Sequence, residues 1–371
     1  MFRGPLKEKL HYWVGINLVL ASHLRSAAVV RRRFPSISGV FTAGEAGLRS
    51  LGLDAREAKA LASPGLTVRA ERLVERLGKQ GVEIVTIDDE AYPEYLREIF
   101  DPPLVLYCAG DIRLLKEPAV AIVGARKPTP YGRAVSEKLA HDLAVRGLAI
   151  VSGMARGIDT AAHWGALKGG KTIAVMGSGL ERIYPRENKR VFEEIERKGV
   201  VISEFPPDSP PLGFHFPLRN RIISGLALAL VVVEATRKSG SLISARLALE
   251  QNREVMAVPG AITSDLSRGT NWLLKTGAKL VASWEDVIEE LPSPVREAVN
   301  QRGEETLESP PALDSREEKI YGMLRNDAQK HIDVLVEESG MSVSEVLSLL
   351  LQLELKGVIY QNPGKYFQRK L

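Results

Sequence analysis

The feature that most constrains this 371-residue chain is an alternation running from residue 104 to residue 285. Short apolar, β-branched runs recur there: "LVLYCAG", "VAIVGAR", "LAIVSGMA", "TIAVMGSG", "VVISEFP", "LALVVVEA", "EVMAVPG" and "AKLVAS". The segments between them, such as "YGRAVSEKLAHDLAVRG", carry apolar residues at helical spacing. Strands that alternate with helices are joined by crossovers and lie parallel. Strands that are apolar along their whole length need cover on both faces. The expected fold class is therefore α/β: a Rossmann-like, doubly wound, mostly parallel sheet, placed over residues 66–290.

The flanks read differently. Residues 1–65 form short helices broken by Gly and Pro, as in "FPSISGVFTAGEAGLRSLGL". This is a small helical module of the helix-hairpin-helix or SAM-like kind, or a structural cap. The missing Gly-x-Gly hairpin favours the cap. Residues 291–312, "LPSPVREAVNQRGEETLESPPA", have the composition of a linker. Residues 313–371 read as three helices and a β-hairpin, the outline of a winged helix.

Composition narrows the function. The lone cysteine, Cys108, excludes an internal disulfide framework and a Cys-based zinc site, and fits a reducing, cytoplasmic setting. Cys108 itself reads as a small buried group in a strand. The longest apolar run, residues 226–233, is too short to span a bilayer, so no membrane association is expected. The net charge of +4 is concentrated in residues 111–290, whereas residues 311–371 are slightly acidic. A polyanionic partner would thus meet the middle of the chain.

In an open α/β sheet, ligands bind beyond the carboxyl ends of the strands. The strand ends here carry glycine, cation and hydroxyl: Gly124, Arg126 and Lys127 after one, Ser152 to Gly157 after the next, Gly177 to Gly179 after a third, and Lys238, Ser239 and Gly240 after "LALVVVEA". Glycine allows close backbone approach. Helix amino termini favour anions, and arginine forks onto phosphate oxygens. The expected ligand is a phosphate group. No Gly-x-Gly-x-x-Gly or Gly-x-x-x-x-Gly-Lys-Ser stretch is present, which argues against NAD and ATP. No cofactor, metal or catalytic residue is expected. Asp159 and His163, four apart on a helix, lack further ligands.

The stretch "FHFPLRNRIISG", residues 214–225, places two arginines next to a buried strand. Pro217 suits a first helical position, predicting a helix over Leu218–Ser224. Arg219 and Arg221 then point about 200° apart. Arg219 is expected to face the ligand without supporting the fold, and Arg221 to pair in the body of the domain with Glu204 or Glu234.

Taken together, "IVGARKPTPYG", "VSGMARGIDTAAHWGAL", "KTIAVMGSGLERIYPRENKRV", "SEFPPDSPPLGFHFPLRNRIISGLA", "EATRKSGSLISARLALEQNREVMAVPG" and "GTNWLLKTGAKLV" resemble the DNA-processing protein A (DprA/Smf) family. The resemblance spans nearly all of residues 104–284. It implies a non-enzymatic, single-stranded DNA-binding protein that dimerises through its Rossmann-like domain. Such a protein protects incoming DNA during natural transformation and homologous recombination and loads the RecA recombinase. By motif position it implies a phosphate pocket of Gly124, Arg126, Lys127, Lys171, Arg219, Asn220, Lys238, Ser239 and Gly240, with Phe214 or Phe216 stacking on a base.

Two alternatives remain. One is a nucleotide-ligand sensor or phosphoribohydrolase-like enzyme of the same Rossmann variant. That chemistry needs a glutamate where "KSGSLISA" has Ser244. The other is a transcription factor reading DNA through the winged helix, which the acidic balance of that segment disfavours.

Overall fold

The computed structural model describes residues 9–34, 36–306, 313–326 and 328–369. They divide into two compact units, residues 1–303 and 304–371.

The first unit opens with helices α1 (Leu10–Leu20), α2 (Leu24–Arg33), α3 (Gly39–Thr42), α4 (Gly44–Ser50), α5 (Ala55–Leu61) and α6 (Pro64–Lys79). Asp54 starts α5 with a capping box: its carboxylate accepts from the Glu57 amide at 2.7 Å and the Glu57 carboxylate accepts from the Asp54 amide at 3.0 Å. The expected boundary at 65/66 falls inside α6 and is corrected here. Pro64 stands in the first turn of α6, where its missing N–H costs nothing, so it begins a helix rather than ending a module. Leu66, Ala70 and Leu77 make the buried face of α6. Trp13, Leu77 and Val85 belong to one hydrophobic cluster, so helices and sheet share a core.

The rest of this unit runs β1 (Glu83–Thr86), α7 (Glu94–Arg97), β2 (Val105–Gly110), β3 (Ala119–Val123), α8 (Pro130–Val145), β4 (Ala149–Ser152), α9 (Ile158–Gly169), β5 (Thr172–Val175), α10 (Lys189–Lys198), β6 (Val200–Ser203), α11 (His215–Leu226), β7 (Ala229–Val232), α12 (Ser241–Glu250), β8 (Glu254–Ala257), α13 (Arg268–Lys275), β9 (Lys279–Leu280), α14 (Trp284–Glu289) and α15 (Ser293–Thr306). Among the described residues the sheet has nine strands in the order β1-β2-β6-β5-β4-β3-β7-β8-β9. It is parallel from β6 through β9, with β2 and β1 added antiparallel at one edge.

The doubly wound character comes from the strands. In β3, Ala119, Ala121 and Val123 enter one hydrophobic cluster while Val120 and Ile122 enter another, because successive side chains point to opposite faces. Both faces are dry, so every residue of β3 is apolar. Cys108 lies buried in β2. The linker reading is corrected up to residue 306: Val295 and Val299, one helical turn apart in α15, pack into the second cluster and hold the segment as a helix. Residues 307–312 of that expected linker lie outside the described residues.

The second unit contains α16 (Ser315–Met323), β10 (Lys330–His331), α17 (Ile332–Ser339), α18 (Val343–Leu355), β11 (Ile359–Asn362) and β12 (Tyr366–Arg369). Its sheet order is β10-β12-β11, all antiparallel. Capping boxes start α16 at Asp314 with Glu317 and α18 at Ser342 with Glu345. Ile320, Leu335, Leu350, Leu353 and Phe367 give this winged helix its own core.

Candidate nucleic-acid interface

The order of the sheet reverses beside β3. The chain lays β4, β5 and β6 on one side of it, then returns to lay β7, β8 and β9 on the other. Outside the carboxyl ends of β3 and β7 lies an open cleft of about 770 Å³. This is the position that the topology of an open α/β sheet favours for a ligand.

The first wall is the loop from β3 to α8, which presents Gly124, Arg126 and Lys127. Thr129 caps α8 by accepting from the Gly132 amide at 3.0 Å. Its own amide and hydroxyl donate to Glu234, at 2.9 and 2.5 Å. Glu234 therefore pins this loop and does not pair with Arg221. A side chain on Gly124 would press on Ile158 and on the Glu234 carbonyl, so glycine lets the end of β3 stay close to α9. Gly157, just before α9, has φ of +81°, a left-handed backbone that glycine adopts without strain.

The second wall comes from the turn between β7 and α12, with Thr236, Ser239, Gly240 and Ser241. The third is α11, which contributes Phe216, Arg219 and Asn220. This helix starts at His215, two residues before Pro217, rather than at Leu218. A proline within the first turn removes only an N–H that has no helical partner, so the helix begins earlier than the proline suggests.

Arg126 is exposed, and its guanidinium lies 5.6 Å from the centre of the Phe216 ring. Tyr184, from the loop after β5, places its ring 5.5 Å from Phe216 at 45°. A cation and a second ring thus both lie against Phe216 in the cleft, a grouping suited to a phosphate beside a stacked base.

Arg219 forms the floor. It is buried, and its Nη1 donates to the carbonyl of Gly153 at 2.6 Å and to that of Val175, tying together the ends of β4 and β5. Burial lowers its pKa to about 10, against the pull of Asp159. The guanidinium therefore remains charged at neutral pH. Burial likewise pushes Asp159 above the usual carboxylate range, opposed by Arg219. Asp159 accepts from the amides of Gly153 and Ala155 at 3.1 and 3.3 Å. The expectation that Arg219 faces the ligand without supporting the fold is thus corrected. It lines the cleft and also holds two strand ends.

Of the expected site residues, the structure brings together Gly124, Arg126, Lys127, Phe216, Arg219, Asn220, Ser239 and Gly240. Lys238 is exposed on the same turn as Ser239 but is not part of the cleft wall. Phe214 projects outward, 56% exposed, with its ring edge-on to His215 at 4.7 Å. Lys171 is misplaced by the sequence reading. It precedes β5 at the amino end of the parallel strands, near Asp111, and so stands on the opposite edge of the sheet. Tyr184 and Thr236 escape the reading. Tyr184 sits in a loop without strand or helix periodicity; its only signal is an aromatic just before Pro185, close after a glycine-bearing strand end.

His163 belongs to the core. Thr172 Oγ1 donates to the Ile150 carbonyl and receives the His163 Nδ1 proton at 2.8 Å. Among the described residues no group of three or more His, Cys, Asp or Glu side chains could hold a metal ion.

Residues 83–292 match the family DNA recombination-mediator protein A, and residues 304–365 match the DprA winged helix domain. The chain belongs to the DNA recombination-mediator protein A family. The DNA processing protein DprA of Bacillus subtilis is 44% identical over 60% of this chain and 75% of its own length. Protein Smf of Escherichia coli is 39% identical over 84% of this chain and 87% of its own. The DprA structure from Streptococcus pneumoniae superimposes with a TM-score of 0.61 at 37% identity, over 76% of this chain and 98% of that one. The Helicobacter pylori DNA processing protein A, described for its single-stranded DNA binding mode, gives 0.51 at 34% identity over 60% and 97%.

Proposed function

We propose that this family member binds single-stranded DNA in the cleft at the carboxyl ends of β3 and β7. In this reading it protects incoming DNA in transformation and recombination, loads the RecA recombinase, and catalyses no reaction. The cluster of Arg126, Phe216 and Tyr184 carries the reading. A backbone-following cation next to aromatic faces suits any base sequence, because every base has a π-face. A duplex would hide those faces inside its stack.

The phosphoribohydrolase-like alternative is weaker. Ser244, where that chemistry needs a glutamate, lines the cleft and cannot act as an acid or base at neutral pH. The carboxylates at hand are engaged: Glu234 caps the β3–α8 loop, and Asp159 accepts two amides.

A homodimer through the sheet domain is supported by exposed apolar side chains towards the β9 edge. Ile262 is 88% exposed, and Leu280 and Trp272 are about half exposed. Among the described residues no helix is long and apolar enough to cross a membrane. The proposed setting is the cytoplasm, where DNA and recombinase are found.

Fluorescence anisotropy with matched single-stranded and duplex oligonucleotides tests the reading. Preference for the single strand, weakening as salt rises, is expected. Equal affinity for both at the same salt would show that the aromatic cluster does not define the ligand.

A further inference from the structure

Helix α11 begins without the devices that usually hold a first turn. Phe214 stands at its N-cap, no side chain caps it, and its first turn carries no acidic residue. The first amides of a helix have no helical partner, so an uncapped start tends to fray. Gly213, just before it, is exposed, and a Cβ there would meet nothing within 4 Å. Phe216, whose ring lies by Arg126 and Tyr184 in the cleft, sits in this turn. Something other than a local cap must hold its direction.

His215 does so from the other side of the turn. It is buried, and its ring stacks on Phe205 with centroids 3.9 Å apart at 17°. Its Nε2 lies 3.2 Å from Oγ of Ser22, in the turn between α1 and α2. Both supports are themselves fixed. Phe205 is buried, and its amide donates to Ser203 Oγ at 3.0 Å. Asn17, buried in α1, donates from Nδ2 to the Glu204 carbonyl and accepts from the Tyr107 hydroxyl, both at 2.9 Å. A ring held at both ends fixes the backbone of residue 215, and with it the direction in which Phe216 leaves the chain. The Phe216 ring then lies on the bare backbone of Gly177, where a Cβ would come within 2.7 Å of its Cδ1.

Ser22, Phe205 and His215 do not line the cleft, so they act on a ligand only through Phe216. We propose that His215, clamped by Ser22 and Phe205, is the positioning residue for the base-stacking ring. Through Ser22 the N-terminal helices set how strongly the cleft grips a base. This rests on the reading of the cleft as a single-strand DNA site. The helical segment expected to be a structural cap then has a second role, as a support of that site.

Titrations of the full chain with oligo-dT and with an abasic strand of the same length test this. The two strands carry the same phosphates, so the ratio of their Kd values separates base stacking from charge. The parent should prefer oligo-dT by about ten-fold, and Phe216→Ala should lose most of that preference. Ser22→Ala removes one neutral hydrogen bond at a half-buried position and should fold. It should lower the preference by about three-fold. His215→Ala should lower it further, towards that of Phe216→Ala. Both should keep the parent's salt slope, because no phosphate contact is lost. A purely structural role would weaken both strands alike and leave the ratio unchanged.

If Ser22→Ala and His215→Ala keep the parent ratio while Phe216→Ala loses it, the positioning role is overturned and the reading of the cleft stands. If the parent binds both strands equally and Phe216→Ala changes neither, the reading of the cleft fails and the positioning role falls with it. Should His215→Ala not fold, the ratio for Ser22→Ala decides alone.

Discussion

Arg221 and Glu204 form a buried ion pair: Nη2 lies 2.5 Å from Oε2, with the two side chains 4% and 3% exposed. Two residues away on the same helix, Arg219 turns into the strand-end cleft. Helix α11 thus joins the core to the proposed DNA site. Removing one partner of a buried pair leaves an uncompensated charge, which costs about 3–5 kcal/mol. Arg221→Ala should therefore lower the melting temperature strongly. A normal melting curve for Arg221→Ala would show that the charge of Glu204 is relieved in another way.

Arg219→Ala should cost both stability and affinity. The buried guanidinium ties the carbonyls of Gly153 and Val175, and its loss leaves both acceptors and Asp159 without it. A stability loss of about 1–3 kcal/mol is expected for the stranded groups. Denaturant unfolding alongside oligonucleotide titration measures both. Loss of affinity with unchanged stability would return Arg219 to the purely ligand-facing role.

His163 should make the first unit acid-labile. Burial lowers its pKa to about 3, from 6.5 in an exposed imidazole. Its Nδ1 donates to Thr172, and its Nε2 is buried without a partner among the described residues. The folded state therefore keeps the ring neutral while the unfolded chain takes up a proton. Stability is fully present above pH 6.5 and is lost as pH falls towards 3. The loss should reach about 2 kcal/mol at pH ~5, from roughly 1.4 kcal/mol per pH unit. His163→Gln should flatten the dependence between about pH 7 and pH 5. If the parent and variant respond to acid identically, the titration lies elsewhere.

Removing residues 313–371 should leave single-strand affinity largely intact. The winged helix has its own core, and the proposed cleft is built wholly within residues 123–266. The truncated chain, shown to be folded by circular dichroism, should bind an oligonucleotide with a Kd close to that of the full chain. Loss of most affinity would place part of the DNA site on the winged helix.

Much of this was legible in the sequence because burial on both faces leaves a pattern that little else produces. Val120 to Val123 and Ala229 to Val232 are apolar at every position, as strands covered on both faces require, and the helical segments between them mark those strands as parallel. β1 is harder to read: it is four residues long, pairs on one side only, and begins with an exposed Glu83. The start of α11 was misplaced because Pro217 read as its first position, yet it sits within the first turn, where proline is tolerated. The candidate site residues close to a strand's carboxyl end, such as Arg126 and Ser239, could be brought to one cleft from the sequence because topology sends those ends to one place. Lys171 was misassigned because a motif does not say which end of a strand a residue caps. Arg219 and Arg221 were correctly separated to two sides of α11, but helical geometry cannot say that both sides are buried.

The salt dependence of single-strand binding, measured for the parent and for Arg126→Ala, tests the central claim most directly. Arg126 is exposed at the cleft, over Phe216, and its loss should remove one charge-assisted phosphate contact. Affinity should fall by about 1.5–3 kcal/mol for every sequence. The slope of log K against log salt should become shallower by roughly 0.7, the release for one single-strand phosphate. A folded Arg126→Ala protein that keeps both the parent affinity and the parent slope would contradict a DNA site in this cleft.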